Sequence, residues 1–318
     1  MSGSHRVPVR SSTVVSGAAF AIVLAHLLVA PTPVEAQAGA SGTDRPVEVS
    51  WRPERPVQGH LMVLRVAPGV GAGPTAVEGV AGGERLHFEA AGSGAFESLA
   101  PVPITAEGSL DVRIEVRMAD GTTRVLTPEV PVDAGSYRHE SLTVAPRLGG
   151  PLSDADAARL RQDQARAAAV ARRAHATPRL WTASPVLPRE DRVTSGFGNG
   201  RIYNGQVSGR HMGLDLDGDP GALVVAPTRG VVALVDSFLL AGNIVYLVHG
   251  GGLLSGYFHL SEALVAEGDT VEAGTPIGRV GATGRVTGPH LHWVVRYGTT
   301  SLDPRSLAPA LGASPPAR

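Results

Sequence analysis

Short β-rich runs separated by glycine and proline turns limit the possible folds of this chain more than any other sequence feature. Apolar and polar residues alternate over 47–51, 61–66 and 110–116, and the 318 residues include 40 Gly and 25 Pro. Alternation places every second side chain on the same face of a strand. Several such strands at this spacing predict an Ig-like antiparallel β-sandwich over residues 46–145, which we interpret as a spacer or positioning module.

A second series of β-rich runs lies in the C-terminal part of the chain. Residues 230–235, 243–248 and 292–297 are rich in β-branched, aromatic and other apolar side chains, and no helical periodicity of useful length occurs between them. These runs predict a C-terminal all-β domain over residues 185–307. The expected fold class is therefore mainly β, and residues 308–318 are expected to form a flexible tail.

One segment between the two β regions has the sequence of a helix. Residues 153–174 contain no Gly or Pro, and Ser153 followed by Asp156 resembles a capping box. The apolar residues of this segment are mostly alanine, so its amphipathic stripe is weak. We expect a helical linker over residues 150–180 that acts as a solvated connector between the domains.

Composition excludes several classes of protein. A mean hydropathy of +0.06 argues against an integral membrane protein, and a net charge of −1 gives no electrostatic reason to expect nucleic acid as a partner. The chain has no cysteine, which excludes disulfides and Cys-ligated metals. All 28 basic residues are arginine, and the absence of lysine excludes Schiff-base catalysis, a P-loop and a biotin or lipoyl attachment site.

Residues 1–38 have the pattern of an export signal. A basic start is followed by an uncharged, mostly apolar stretch over 14–30 and by small residues at 34–38 that fit a cleavage site. The alternative is an uncleaved anchor, since the apolar stretch is at the lower edge of the length of a membrane span. Only in that case would a membrane be a partner. Both alternatives predict that the rest of the chain works outside the cytoplasm, in the periplasm, the cell envelope or the extracellular space.

Two short glycine-flanked segments contain the side chains that suit a metal site. His211 and Asp215 lie in the first segment, and His290 and His292 lie in the second, about eighty residues later. Imidazole and carboxylate groups are ligand types of catalytic zinc, and side chains two apart on a strand share a face. Each pair alone is more often a chance occurrence or a packed pair than a set of metal ligands. No H-E-x-x-H occurs, and Gly213 argues against the helical arrangement of that motif.

Neighbouring residues have simpler interpretations. The aspartates at 215, 217 and 219 suggest a calcium loop, but Ala226 occupies the twelfth position, where a bidentate Glu belongs, so we reject an EF-hand. His259 lies in an apolar strand, and taken alone it is expected to be a buried, hydrogen-bonded histidine. His249 is expected to be structural or to lie behind the site.

Taken together, these residues resemble the M23 (lysostaphin/LytM-like) zinc metallopeptidases. That family carries an H-x-G-x-D segment, a Y-x-H-L segment and a T-G-x-x-T-G-P-H-L-H-W segment in this order. Here they stand at residues 211–215, 257–260 and 283–293. The resemblance covers residues 185–307, about forty per cent of the chain, and implies an M23-type fold for this domain.

The resemblance also implies roles for single residues. His211, Asp215 and His292 would be the ligands of one Zn²⁺ per chain, and His290 and His259 would be the catalytic histidines. Three protein ligands with an open position for water is the catalytic zinc pattern, and either histidine can then act as the base. Which of the two does so stays open. The segment 199–206 departs from the better-known members of the family, and within it Arg201, Tyr203 and Asn204 are suggested as groove residues.

The implied function is an exported zinc-dependent endopeptidase that hydrolyses peptide bonds in peptidoglycan cross-links or stem peptides. The alternative is a non-catalytic LytM-like regulator of other cell-wall hydrolases. The presence of all three ligands and of both additional histidines argues for the enzyme. Residues 267–274 resemble a turn of biotinyl and lipoyl barrels, which suggests a carrier module. This interpretation is rejected because the chain has no lysine to which the prosthetic group could be attached.

Overall fold

The computed structural model describes residues 47–71 and 73–312, and this part of the chain is mainly β, as the sequence predicts. Its strands are β1 (Val47–Arg52), β2 (Leu61–Pro68), β3 (Pro74–Ala81), β4 (Glu84–Leu86), β5 (Glu89–Ala90), β6 (Phe96–Pro101), β7 (Ser109–Met118), β8 (Thr123–Leu126), β9 (Glu129–Pro131), β10 (His139–Leu142), β11 (Val193–Ser195), β12 (Gly200–Tyr203), β13 (Val207–Arg210), β14 (Leu214–Leu216), β15 (Leu223–Val225), β16 (Gly230–Phe238), β17 (Gly242–Gly250), β18 (Leu253–Ala263), β19 (Thr270–Val271), β20 (Pro276–Val280), β21 (Leu291–Tyr297) and β22 (Thr300–Leu302). Its helices are α1 (Pro146–Gly149), α2 (Asp154–Ala176) and α3 (Leu307–Leu311), with a 3₁₀ turn at Pro304–Ser306.

Strands β1 to β9 form antiparallel sheets that share one apolar core. The strand orders are β1-β2-β6-β5 and β4-β3-β7-β8, with β9 beside β7. Every second residue of β7 from Leu110 to Met118 is buried, because successive side chains of a strand point to opposite faces. These residues belong to the same apolar cluster as Leu64 of β2. The predicted antiparallel β architecture is confirmed, while its Ig-like assignment stays a prediction.

Helix α2 packs against the C-terminal strands. Its N-terminus is capped by Ser153, whose hydroxyl oxygen accepts a hydrogen bond from the backbone N–H of Asp156 at 3.1 Å. The buried apolar residues of the helix are Ala167, Val170, Ala171 and Ala174. They pack against Tyr246, Phe258 and other apolar residues of β16, β17, β18 and β21. The expectation of a solvated connector is therefore wrong for the face of α2 that carries these four residues, since it is buried against the sheet. Small alanine side chains let the helix lie close to the strands.

The C-terminal part is built on a large antiparallel sheet in the order β11-β14-β21-β18-β17-β16-β19. Strand β20 pairs with β15 and β18, and β22 pairs with β21. Strands β17, β18 and β21 are buried along most of their length, which explains why their sequences are nearly continuous apolar runs. The β-rich character predicted for this region is confirmed.

Strand register brings the predicted site residues to neighbouring positions. Asp215 of β14 lies opposite His292 of β21, and His292 lies opposite Phe258 of β18. His259 follows Phe258 directly, and His290 stands immediately before β21. Strand pairing therefore joins the two motifs that are about eighty residues apart in sequence.

A strand from further upstream also joins this region. Strand β10 pairs in parallel with β12, which pairs antiparallel with β13. Residues 139–142 fall inside the range predicted for the N-terminal domain, yet their pairing attaches them to the C-terminal part. Alternation within a short strand does not indicate which distant strand it pairs with.

The predicted flexible tail at residues 308–318 begins with a packed helix. Leu311 of α3 is only 9% exposed, so the helical part of the predicted flexible tail is packed. Residues 313–318 and the predicted signal peptide at residues 1–38 lie outside the described residues. Among the described residues, no helix combines the length and the apolar character needed to cross a membrane.

His249 belongs to a buried chain of hydrogen bonds within the large sheet. The imidazole is fully buried, Nδ1 donates to the carbonyl of Arg229 at 2.9 Å, and Nε2 accepts from the hydroxyl of Ser255 at 2.8 Å. The Ser255 oxygen lies 2.8 Å from the hydroxyl of Tyr257. Burial lowers the pKa of His249 to about 4, although the bond to the Arg229 carbonyl opposes this shift. Neutral His249 is therefore a structural part of the sheet.

The low pKa of His249 predicts a loss of stability in mild acid. The unfolded chain protonates this imidazole near pH 6.5, whereas the folded chain does so only near pH 4. Between these values the unfolded state binds the additional proton, so the free energy of unfolding falls as the pH falls through this window. The total contribution is about 3 kcal/mol, and it does not grow below the folded-state pKa.

Urea unfolding at pH 7 and pH 5, with chelator present, measures this effect. The difference in unfolding free energy between the two pH values is expected to be smaller in His249→Gln than in the wild-type protein. An equal difference in both proteins would contradict the assignment.

Candidate metal centre

Three side chains meet where β14 and β21 run side by side. Nε2 of His211 lies 2.9 Å from Oδ1 of Asp215 and 2.9 Å from Nδ1 of His292. The same Nδ1 lies 2.7 Å from the same carboxylate oxygen. His211 and Asp215 are buried and His292 is half-buried, with all three ligand atoms within 4.8 Å of one another. Within the described residues, this is the cluster whose geometry suits a metal ion.

Backbone carbonyls fix the protonation of three imidazoles around this point. The Nδ1-to-oxygen distances are 2.7 Å from His211 to Gly196, 2.8 Å from His259 to Thr283 and 2.9 Å from His290 to Gly288. A carbonyl oxygen can only accept, so each Nδ1 carries the proton and donates it. In the neutral tautomer that this bond selects, the lone pair of each ring lies on Nε2.

The lone pairs in the cluster fit a divalent metal. Nε2 of His211 and Oδ1 of Asp215 face each other at 2.9 Å. Burial lowers the pKa of His292 to about 4 despite the opposing effect of Asp215, so this imidazole is neutral near pH 7. Two imidazole nitrogens and a carboxylate oxygen form a donor set that a bound cation would balance.

Gly213 makes room for the ring of His292. A Cβ atom at this position would lie 2.7 Å from both Cε1 and Nε2 of the ring and 2.7 Å from the carbonyl oxygen of Trp293. These distances are shorter than van der Waals contact allows. Glycine between His211 and Asp215 is thus required for β14 to lie against β21 at the cluster.

The second oxygen of Asp215 faces a half-buried arginine. Nη2 of Arg201 donates to Oδ2 of Asp215 at 2.6 Å, and Nε of Arg201 donates to Oε2 of Glu140 at 3.1 Å. Burial would raise the pKa of Asp215, but its contacts with His211 and His292 outweigh burial and hold the pKa well below 3.8. The aspartate is therefore ionised, and its two oxygens face different partners.

Glu140 belongs to the site, although no sequence motif indicates it. Its carboxylate accepts from the hydroxyl of Ser195 at 2.8 Å, from the amide of Asn199 at 2.7 Å and from Arg201. The only sequence signal is an acidic residue in a short alternating run. Its relevance depends on the parallel pairing of β10 with β12, which brings the upstream segment to the cluster.

Glu140→Gln is expected to weaken metal binding by about 10- to 100-fold, the usual effect of removing a partner that orients a ligand. A neutral amide has one acceptor oxygen and cannot hold Ser195, Asn199 and Arg201 together. Arg201 would then hold Asp215 less firmly. The apparent zinc affinity in competition with a chelator measures the effect.

The matched control for Glu140→Gln is Glu129→Gln, an exposed carboxylate on β9, which should leave the metal affinity unchanged. An unchanged affinity in Glu140→Gln would show that Arg201 and Asp215 keep their geometry without it.

His259 and His290 stand beside the three-residue cluster. Nε2 of His290 lies 3.6 Å from Oδ1 of Asp215, and the ring centroids of His259 and His290 are 5.0 Å apart. Burial, together with the neighbouring His292 and His290, lowers the pKa of His259 to about 3. The φ of His259 is +63°, in the left-handed region that non-glycine residues seldom adopt. Strained backbone of this kind is concentrated at functional sites.

The suggested groove residues have separate positions. Arg201 and Tyr203 line the groove that passes the cluster. Asn204 is instead bound to Val144, since its Oδ1 accepts from the backbone N–H at 2.9 Å and its Nδ2 donates to the carbonyl at 3.1 Å. Asn204 therefore fixes the segment that follows β10 to the end of β12.

Comparison with known proteins identifies the domain that holds this cluster. The family model described as Peptidase family M23 matches residues 209–304, which include all three clustered residues together with His259 and His290. Residues 209–304 of this chain therefore match peptidase family M23. The resemblance stated from the sequence motifs is thereby confirmed.

Curated relatives match the M23 domain over part of their length. Peptidoglycan DD-endopeptidase ShyC of Vibrio cholerae is 36% identical over 118 residues, which cover 36% of this chain and 27% of the relative. Peptidoglycan DD-endopeptidase ShyA of the same organism is 40% identical over 105 residues, which cover 32% of this chain and 24% of the relative. The chain thus spans about a quarter of the length of these relatives.

A solved structure extends the likeness beyond the M23 domain. The crystal structure of a putative peptidase M23 from Pseudomonas aeruginosa has a TM-score of 0.61 and is 24% identical in sequence. The match covers 80% of this chain and 96% of that chain. At this level of identity the match shows a common fold, which includes residues upstream of the M23 domain.

Proposed function

We propose that this protein is an exported, zinc-dependent endopeptidase that hydrolyses peptide bonds in bacterial peptidoglycan. The observation that carries the proposal is the convergence of His211, Asp215 and His292, with two more imidazoles beside them, in an M23 domain. The relatives named as peptidoglycan DD-endopeptidases support the substrate class.

His211, Asp215 and His292 hold one Zn²⁺ in this proposal. Neutral imidazole nitrogen and carboxylate oxygen are both zinc ligands, and three protein ligands leave a position open for catalysis. When bound, zinc supplies Lewis-acid activation of water and of the scissile carbonyl. Arg201, which is itself bound to Glu140, donates to Oδ2 of Asp215 and so holds Oδ1 toward the two imidazoles.

His259 and His290 move protons in the proposed reaction. The Nδ1–H of each ring is held by a backbone carbonyl, so Nε2 is free to accept a proton and later to return it to the leaving amine. The two rings lie side by side, with centroids 5.0 Å apart, so either can act as the base and return the proton as the acid. The chain has no H-E-x-x-H glutamate, so these histidines take that role.

The remaining parts of the chain fit an enzyme of the cell envelope. Residues 1–38 direct export, and the N-terminal β region, for which we keep the Ig-like assignment, acts as a spacer or positioning module. In this proposal the β-sandwich spans residues 46–145, the helical linker 150–180 and the peptidase domain 185–307. Strand β10 adds to the peptidase domain by pairing with β12.

Release of new amino groups from purified peptidoglycan tests the function, with zinc content measured on the same sample. We expect about one zinc per chain, the content of a three-ligand catalytic site, and release that a chelator stops. Zinc binding without release from peptidoglycan or from cross-linked peptides would favour the non-catalytic regulator. A protein with neither zinc nor release would overturn the proposal.

A further inference from the structure

One side of the groove at the metal centre is strongly basic. This basic side has a volume of about 200 Å³ and includes His211, His292 and His259 in its lining. Its charged side chains are Arg201, Arg210, Arg285 and Arg296, and no carboxylate lines it. The other side of the groove shares Arg201 and Arg285 with it but also contains Glu140, Asp215 and Asp217. Charge is therefore distributed unevenly along the groove.

The arginines of the basic side differ in how their charge is balanced. Arg201 is paired with Glu140 and Asp215. None of the described carboxylates forms an ion pair with the other three. Arg285 stacks over the ring of Tyr203 with its guanidinium carbon 3.9 Å from the ring centroid. Arg210 donates to the carbonyl of Gly198, and Nε of Arg296 is buried without a hydrogen-bond partner.

We propose that the basic side of the groove binds a free carboxylate that the peptide substrate carries next to its scissile amide. Arg285 is the principal contact, because stacking on Tyr203 orders its guanidinium beside the metal centre. Arg210 and Arg296 add positive charge to the same side. This inference rests on the proposed peptidase function and specifies which peptides that site accepts.

A carboxylate on the substrate fits these arginines for two reasons. A guanidinium presents paired N–H donors that match a carboxylate, and charge-assisted bonds of this kind are about twice as strong as neutral ones. The basic side is also continuous with the metal centre through His211 and His292. A peptide carboxylate bound there places the neighbouring amide of the same peptide at the cluster.

Three synthetic forms of one cross-linked peptidoglycan peptide test the proposal. In the first form all carboxylates are free, in the second the C-terminal carboxylate is an amide, and in the third the side-chain carboxylate is an amide. The zinc-loaded wild-type protein is expected to cleave one amidated form at least about tenfold less efficiently in kcat/KM, since a hydrogen bond to a charged group is lost. The form that is affected identifies the source of the carboxylate.

Arg285→Gln should bring the ratio of kcat/KM between the free and the affected amidated form close to one. The matched control is Arg124→Gln, an exposed arginine on β8 that forms no ion pair with the described residues, and it should keep the wild-type ratio. Equal cleavage of all three forms by the wild-type protein would overturn the proposal. So would an unchanged ratio in Arg285→Gln.

Binding separates this proposal from the proposed function. Calorimetric titration of the chelator-treated protein with the same peptides measures recognition without hydrolysis. Weaker binding of one amidated form, and loss of that preference in Arg285→Gln, would support the carboxylate site even if no peptide were cleaved. In that case the proposed peptidase function would be rejected and the carboxylate site would be retained. Absence of any preference in binding would overturn the carboxylate site.

Discussion

Asp215→Ala is expected to abolish both metal binding and peptide hydrolysis. Oδ1 of Asp215 lies within 2.9 Å of both imidazole nitrogens of the cluster, and Oδ2 balances Arg201. The substitution removes one of three ligands and leaves the Arg201 charge facing the two that remain. A positive charge at that place repels a second cation. Zinc content should fall from about one per chain to near zero.

The expected loss of activity in Asp215→Ala is large. A catalytic metal supplies several kcal/mol of stabilisation to the transition state, which corresponds to at least about 10³-fold in rate. Zinc analysis and peptidoglycan hydrolysis on the same purified sample measure both effects, and thermal unfolding verifies that the variant is folded. His211→Ala should behave in the same way.

Asp219→Ala is the matched control for Asp215→Ala. It makes the same chemical change four residues along the chain, at an exposed aspartate of the segment that resembles a calcium loop. It should keep wild-type zinc content and activity, because Asp219 is not part of the metal cluster. Wild-type zinc content in Asp215→Ala, or loss of zinc in Asp219→Ala, would contradict the ligand assignment.

The sequence motifs predict which side chains form the three-residue cluster, because each motif is local. His211, Gly213 and Asp215 occupy five consecutive positions, and His290 and His292 are separated by one residue. Period-2 alternation also predicts β7, and nearly continuous apolar runs predict β17 and β21. The distances between the two motifs depend instead on the pairing of β14 with β21, which the motifs themselves do not encode.

Residues that support the site were harder to predict, because they depend on long-range pairing. Glu140 reaches Arg201 only because β10 pairs in parallel with a strand sixty residues later. Arg285 becomes a groove residue because its guanidinium stacks on Tyr203. The alanine-rich sequence of α2 predicts a solvated helix because alanine contributes little to an amphipathic pattern, yet alanine is also the side chain that allows close packing on a sheet.

His290→Ala and His259→Ala are each expected to lower activity by about 10²- to 10⁴-fold, the range for loss of a general acid or base, while zinc content stays near the wild-type value. Neither side chain belongs to the three-residue metal cluster. Both rings are held by backbone carbonyls through Nδ1, so truncation removes a free Nε2 from the site. Values of kcat/KM and zinc content for both single variants and for the double variant measure the effect.

The double variant tests whether the two histidines act together. Residues that serve one proton-transfer unit are non-additive, so the double variant should lose little more than the worse of the single variants. Independent roles would instead multiply the two losses. His139→Gln, an exposed imidazole on β10, is the control and should keep its zinc and most of its activity. If His290→Ala lost zinc and His292→Ala retained it, the roles of ligand and base would have to be exchanged between these two residues.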